Sequence, residues 1–201
     1  MPGFFEGTEM PDAGWWEALW PDPARVLAES RLAAGMAAVD LCAGNGWFTL
    51  HMARIARRVA AIDIDGKLLE SARLRLDEAG VTNCQFLVAD AYDLAALVTE
   101  PVEFVFMANA FHGVPDQARL CKVVAGILSP GGLFAIVNWH RRPRQETTVL
   151  GAARGPKTEL RMSPQDVQAI VEPSGFTLTR VAEVGPYHYS AIFKTARAPA
   201  D

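Results

Sequence analysis

From Val39 to Phe48 the chain reads Val-Asp-Leu-Cys-Ala-Gly-Asn-Gly-Trp-Phe. An apolar run breaks at a cluster of small residues, and a helix-like pattern restarts near Trp47. Ala37–Leu41 therefore reads as a short buried strand, followed by a tight turn and a helix N-terminus. A strand, turn and helix in that order present backbone N–H groups to a ligand. Glycines in the turn allow φ > 0 and a close approach of the ligand to the backbone. The next strand-like run ends in Ile62-Asp63, with the acid 19 residues beyond Gly44. Such a pair suits an adenosine-type cofactor: the turn takes its tail and the acid takes two ribose hydroxyls.

The rest of the chain repeats this alternation. Helices are expected at about 46–57, 66–79 and 115–128, with a short helical piece at 94–98. Strands are expected at 59–63, 83–89, 101–108 and 133–139. Asp65 is placed to cap the second of these helices and Gly80 to stop it. Val102-Glu103-Phe104-Val105-Phe106-Met107 is almost continuously apolar, as a strand covered on both faces should be. Pro130-Gly131-Gly132 reads as the turn into the fifth strand. Alternation with short connections predicts an α/β layer around a mostly parallel sheet, with helices on both faces. After a helix opened by Ser163-Pro164, two strand-like runs, 176–184 and 187–195, are separated only by Gly185-Pro186. A connection that short joins antiparallel strands, and the last strand is expected inside the sheet. Tyr187 and Tyr189 should then share one face.

Three segments flank or interrupt this core. Residues 1–35 form an N-terminal helical extension or cap, in which Asp12 caps a first helix and Asp22-Pro23 opens a second. Trp15, Trp16 and Trp20 admit two readings: a hydrophobic staple onto the domain, or the wall of a substrate pocket. The cofactor-binding domain runs over 36–195. Within it, residues 141–162 form a link with Arg141, Arg142, Arg144, Arg154, Lys157 and Arg161 against Glu146 and Glu159. That link is either a solvated loop or a lid over an anionic substrate. Residues 196–201 are a tail.

Composition bounds the rest. The 201 residues carry a net charge of −4, which argues against a broad nucleic-acid or anionic-membrane footprint. Cys42, Cys84 and Cys121 are odd in number and widely spaced, so neither a disulfide framework nor a zinc site is expected. Met1–Glu6 lacks the basic-then-apolar pattern of a secretion signal, and no apolar run spans a bilayer. A cytoplasmic enzyme or binding protein follows, with no metal and no membrane or nucleic-acid partner, as a monomer or homodimer.

Asp40, Asp63 and Asp90 fall at the ends of three successive strands, where open α/β sheets bind ligands. Asp63 suits the ribose, Asp90 an adenine amino group, and Asp40 either the turn backbone or an ammonium group. With these residues in view, the chain resembles a class I S-adenosylmethionine-dependent methyltransferase, of the type 11/25-like small-molecule branch. Val39–Gly46 in sequence is similar to the family's first motif, Ile62-Asp63-Ile64 to its second, and Val88-Ala89-Asp90-Ala91 to its adenine-contacting motif. Asn109-Ala110-Phe111-His112 falls at the exit of the fourth strand, and Leu128-Ser129-Pro130-Gly131-Gly132 at the turn before the fifth. One departure is visible, since Cys42 stands where the first motif usually has glycine.

The resemblance implies a Rossmann-like seven-stranded sheet with one antiparallel strand. It also implies S-adenosyl-L-methionine as cofactor and S-adenosyl-L-homocysteine as product. Cys42, Ala43, Gly44 and Gly46 would line the methionine moiety, Asp63 would hold the ribose and Ile64 would pack on the adenine. Asp90 with Ala91 would fix the adenine amino edge, and Asn109 would sit by the methionine amino group and sulfonium. Methyl transfer from a sulfonium is an in-line displacement to which proximity contributes much of the rate. His112 and His140 are the candidates for a base where the acceptor arrives protonated. The rivals are a nicotinamide-dependent oxidoreductase and a non-catalytic S-adenosylmethionine-binding protein of the same fold. The oxidoreductase fingerprint wants glycine where this chain has Thr49. The prolines of base-methylating enzymes are missing from Asn109-Ala110-Phe111-His112, which leaves a small-molecule acceptor.

Overall fold

The computed structural model describes residues 13–196. Met1–Glu6 in sequence, the capping residue Asp12 and the tail beyond Ala196 lie outside the described residues. In chain order the helices are α1 (Ala13–Leu19), α2 (Pro23–Glu29), α3 (Trp47–Ile55), α4 (Gly66–Glu78), α5 (Leu94–Leu97), α6 (Gln117–Ile127) and α7 (Pro164–Val171). The strands are β1 (Ala37–Leu41), β2 (Arg58–Asp63), β3 (Cys84–Val88), β4 (Val102–Ala108), β5 (Leu128–Trp139), β6 (Thr148–Val149), β7 (Ala152–Ala153), β8 (Phe176–Glu183) and β9 (His188–Thr195).

Seven strands form one sheet in the order β3-β2-β1-β4-β5-β9-β8. Pairing is parallel from β3 through β5, and β9 runs antiparallel to both β5 and β8. The C-terminal hairpin therefore inserts its second strand inside the sheet; its connection is four residues, 184–187, rather than the two expected, and is still short enough only for antiparallel strands. The chain leaves β1 in one direction across the sheet and β4 in the other, which opens a crevice at their carboxyl ends.

Both faces of the sheet are covered. Val39, Leu41, Val105, Met107, Phe134 and Ile136 pack against α5, α6 and α7, where Leu94, Leu120, Val124 and Val167 are buried. Ala38, Phe104, Phe106, Ala135 and Val137 meet α2, α3 and α4 through Leu27, Phe48, Met52 and Leu76. All five residues of β1 are buried, which is why that strand reads as apolar without alternation. Each fully buried Leu or Phe of these layers contributes roughly 1.5–3 kcal/mol by leaving water.

Helix boundaries follow from capping. Asp65 accepts from the N–H groups of Lys67 and Leu68, Asp22 caps α2 ahead of Pro23, and Ser163 with Asp166 forms a full capping box on α7. The Pro130-Gly131-Gly132 stretch is a bulge rather than a turn. The pairing with β4 jumps from Val102–Leu128 to Phe104–Leu133, so β5 continues through it. Tyr187 and Tyr189 do not share a face. Regular strand geometry starts only at His188, so Tyr187 lies on the preceding bend and stacks on Trp139 with centroids 6.0 Å apart. Tyr189 is buried in the opposite layer.

The N-terminal helices are integral to the core. Trp15, Trp16, Leu19 and Trp20 are buried in the layer that holds α3. Ser30 shares a 2.8 Å hydrogen bond with Ser190 of β9, and Glu29 pairs with Arg180 of β8. The link over 141–162 is folded rather than simply solvated. Arg161 is 3% exposed and donates to the carbonyls of Pro156, Arg142 and Arg154 and to the Thr147 hydroxyl, tying the link onto itself.

Candidate functional site

The crevice at the carboxyl ends of β1, β2 and β3 gathers the three acids. Asp40 is 3% exposed and accepts a 2.6 Å hydrogen bond from the Thr49 hydroxyl. Burial pushes its pKa up to about 7; the Thr49 hydrogen bond opposes that rise and the nearby Asp63 adds to it. Cys42 takes a left-handed backbone, φ +61°, at the position where glycine is usual in the resembled motif. Burial, then the charges of Asp63, Asp40 and Asp90, push its thiol far above the ordinary range. That environment disfavours the thiolate, the nucleophilic form.

The turn differs from the expectation in one respect. Its amides are not all free for a ligand: Ala43 donates to the Ile62 carbonyl, Gly44 to the Asp63 carboxylate at 2.8 Å, and Gly46 to the Ala43 carbonyl. Asp63 thus anchors the turn, and its second oxygen accepts from the Asp65 N–H. A carboxylate offers about four lone-pair sites, so both oxygens retain capacity for hydroxyl donors. Gly46 is required for packing as well as for its φ of +76°, since a Cβ there would lie 2.7 Å from that of Ala72 on α4. No side chain caps α3, which leaves the N–H groups of its first turn as the donors at this end of the crevice. Ile64 is half exposed at the end of β2. Asp90 is exposed and accepts from the Tyr92 N–H, with Ala91 beginning the short turn that follows.

Across the crevice, Asn109 leaves β4 with φ +59°, and both atoms of its carboxamide are buried without a hydrogen-bond partner. Both features, a left-handed backbone at a non-glycine residue and a buried carboxamide without a partner, are uncommon in folded proteins. His112 follows one helical turn later. Burial lowers its pKa, Asn138 partly opposes that, and the positive charge of Arg161 lowers it further, so the ring is neutral at pH 7. His140, at the end of β5, shares a 2.8 Å contact between Nε2 and Glu183 and packs 5.2 Å from the Tyr189 ring. The two histidines thus stand in different settings: His112 is beside Asn138 and Arg161, whereas His140 is engaged by a carboxylate. Tyr189 donates its hydroxyl to the Met162 carbonyl, and burial keeps it protonated.

Four residues of this region escape a reading by motif. Thr49 and Arg161 are fixed by contacts between separate segments, which spacing does not reveal, and both carboxamide atoms of Asn138 are buried without a hydrogen-bond partner. His188 is fully buried between Trp20 and Trp139, at centroid distances of 4.4 and 4.1 Å, and neither ring nitrogen has a partner. Burial, His140 and Arg161 all hold it neutral. Every residue of β9 except Lys194 is buried, so strand alternation does not single it out. Two open depressions, around Arg58, Asn83 and Gln85 and around Met36, Glu103 and Lys194, lie at the opposite ends of the strands, and neither contains a candidate residue.

Residues 39–136 match the family described as Methyltransferase domain. A curated relative, the ubiquinone biosynthesis O-methyltransferase of Xanthomonas axonopodis pv. citri (strain 306), is 31% identical over 138 residues. That match covers 64% of this chain and 57% of the relative, so the chain spans little more than half the length of the curated relatives it matches. Among solved structures, a SAM-dependent methyltransferase from Aquifex aeolicus superposes with a TM-score of 0.77 at 25% identity, covering 92% of this chain and 94% of that one. The N-methyltransferase NodS from Bradyrhizobium japonicum WM9, in complex with S-adenosyl-l-homocysteine, shares the fold at a TM-score of 0.66 and 15% identity, covering 87% and 86%.

Proposed function

The chain carries a methyltransferase domain of the class I S-adenosylmethionine-dependent type, and from that premise we propose that it transfers a methyl group from S-adenosylmethionine to a small-molecule acceptor by in-line displacement. The observation that carries this reading is the charge around Cys42. The carboxylates of Asp63 and Asp90 and the buried carboxyl group of Asp40, whose pKa is pushed up to about 7, stand near the carboxyl ends of adjacent strands with no basic side chain paired to them among the described residues. A sulfonium and an ammonium group suit that setting. A nicotinamide dinucleotide brings an anionic pyrophosphate to the same turn, where the amides of Ala43 and Gly44 are already engaged. Thr49, at the place of that fingerprint's third glycine, is committed to Asp40. Both facts disfavour the oxidoreductase.

The residues present fit the group. Asp63 accepts from the ribose hydroxyls while holding Gly44, and Ile64 offers an exposed apolar surface to the adenine. Asp90 and Ala91 bound its amino edge, Asp40 meets the ammonium charge, and Cys42, Ala43, Gly44 and Gly46 shape the turn around the methionine moiety. The unpaired carboxamide of Asn109 hydrogen-bonds the methionine end. When bound, the cofactor supplies an electrophilic methyl group and leaves as S-adenosylhomocysteine. His112, neutral and half-buried, takes the acceptor's proton; His140, oriented by Glu183, holds the mouth of the site. The basic link suits an anionic acceptor.

No described helix is long and apolar enough to cross a membrane. Three unpaired thiols suit the reducing cytoplasm, where the protein acts as a monomer or homodimer. The test is transfer of labelled methyl from S-adenosylmethionine to a panel of small acceptors. Label in an acceptor, lost with Asn109→Ala and Asp63→Ala, supports the proposal. Cofactor that binds but never gives up its methyl group, with any acceptor class, contradicts it.

A further inference from the structure

The segment 109–116 joins β4 to α6 and carries both Asn109 and His112. The sheet holds its first residue, through a 2.8 Å bond from the Asn109 N–H to the Val137 carbonyl. Its middle, Phe111–Gly113, is one tight turn. There the Phe111 ring is fully buried and the Phe111 carbonyl accepts from the Gln117 side chain at 2.7 Å. The last residue is held from outside the segment. The Tyr92 hydroxyl accepts from the Asp116 N–H at 2.8 Å and donates to the Asp116 carbonyl at 3.2 Å. A hydroxyl has one proton and two lone pairs, so a single side chain serves both backbone groups of one residue.

Tyr92 comes from the adenine side of the crevice. It lies in Ala91–Asp93, the turn that follows β3, and its own N–H donates to the Asp90 carboxylate at 2.9 Å. The Asp93 N–H donates to the Asp90 carbonyl, also at 2.9 Å. The Tyr92 ring is half-buried against the core layer that contains α6, and the Arg119 guanidinium sits 4.4 Å from its centroid. Asp116 in turn caps α6 by accepting from the Arg119 N–H at 2.9 Å, so the pin sits where the segment becomes helix. One residue therefore connects Asp90 to the far end of the segment that carries Asn109 and His112.

We propose that Tyr92 is a positioning residue, whose hydroxyl transmits occupancy of the adenine end to the segment 109–116. This rests on the placement of the adenine at Asp90 and Ala91 given under Proposed function. An amino group that donates to Asp90 fixes the turn Ala91–Asp93; the turn holds Tyr92, and Tyr92 holds Asp116. With Asn109 engaged by the methionine end, the segment is tied at both ends, and His112 is carried on a fixed backbone. Catalysis is sensitive to such placement, because a misplacement of about 1 Å that originates far from the chemistry can cost about 10²-fold.

Amide hydrogen exchange of the full chain, with and without saturating S-adenosylhomocysteine, reads this coupling. In the parent, the ligand should slow exchange over 111–117 by about tenfold or more, together with 42–46 and 90–93. Tyr92→Phe keeps the ring and removes the hydroxyl. By calorimetry it should bind S-adenosylhomocysteine within about threefold of the parent. It should keep the protection of 42–46 and lose most of the slowing over 111–117. Arg119→Ala removes the guanidinium and keeps the hydroxyl, so its response should match that of the parent. Full protection of 111–117 in Tyr92→Phe would show that the effect runs from Asn109 alone and would overturn the proposal. So would a parent in which the ligand protects 90–93 and leaves 111–117 unchanged, or a response lost in Arg119→Ala. A parent that takes up no S-adenosylhomocysteine is recognised by calorimetry and defeats the cofactor reading along with this one, whereas failure confined to exchange leaves that reading standing.

Discussion

Asp40, buried at the proposed cofactor site, costs stability in the ligand-free protein when it ionises. Its pKa in the folded protein is about 7, against 3.8 as the ordinary value. Between those values the folded state holds a proton that the unfolded chain has released. Stability of the ligand-free protein should therefore fall as pH rises from about 4 to 7, by up to about 1.4 kcal/mol per unit. Asp40→Asn should flatten that slope and raise the melting temperature at pH 8, while weakening S-adenosylmethionine binding; melts across pH and calorimetry read both. His112 obeys the opposite sign. Because its pKa is lowered from 6.5, the neutral form persists into mild acid, so the acid limb of kcat should lie below pH 6.5. His112→Gln should cut kcat by roughly 10²–10⁴ with cofactor affinity unchanged, as removal of a general base does. Unchanged kcat would leave His112 a wall of the site. Cys42 is strained rather than reactive. Cys42→Gly should relieve about 1 kcal/mol of left-handed strain, less the added chain entropy, and a thermal melt reads the balance.

At the level of elements, the link over 141–162 is the part whose form sequence conceals most. Its six basic residues look alike in sequence, yet Arg161 is a buried knot and Arg141 a surface partner of Asp166. The difference arises from where Trp139 and the carbonyls of Pro156 and Arg154 lie, which local pattern does not encode. Gly155 locks the link to the sheet. Its φ is +85° and an added Cβ would sit 2.7 Å from the Trp139 ring. Gly155→Ala should cost about 1–3 kcal/mol by overpacking. It should also disturb the Trp139–Tyr187 stack, seen as a lower melting temperature and altered near-ultraviolet circular dichroism. A variant indistinguishable from the parent by both measures would show that the link is not held this way.

For the molecule as a whole, what was legible followed from periodicity and capping. β4 reads as a nearly continuous apolar run because both its faces are covered, and Asp65, Asp22 and Ser163 announced their helices. A short connection was enough to make the last two strands antiparallel, although it spans 184–187 rather than two residues. The carboxyl-end positions of Asp40, Asp63 and Asp90 were legible for the same reason, since Asp63 ends β2, Asp40 is next to last in β1 and Asp90 lies two residues beyond β3. Contacts across the fold were not. Asp63 holding Gly44, Thr49 holding Asp40, and Trp20 covering His188 each join segments whose proximity only the folded sheet creates. The bulge at Pro130–Leu133 in sequence and the bend at Tyr187 likewise depend on strand register, which a single chain does not reveal. Binding of a sulfonium cofactor in the acidic crevice is what the whole fold is proposed to serve. It is tested most directly by calorimetric titration with S-adenosylmethionine, S-adenosylhomocysteine and NADPH, on the parent and on Asp63→Ala. Saturable binding of the two sulfur compounds and not of NADPH, lost in the variant, is the expected result. Tight NADPH binding with no heat from S-adenosylmethionine would contradict the account.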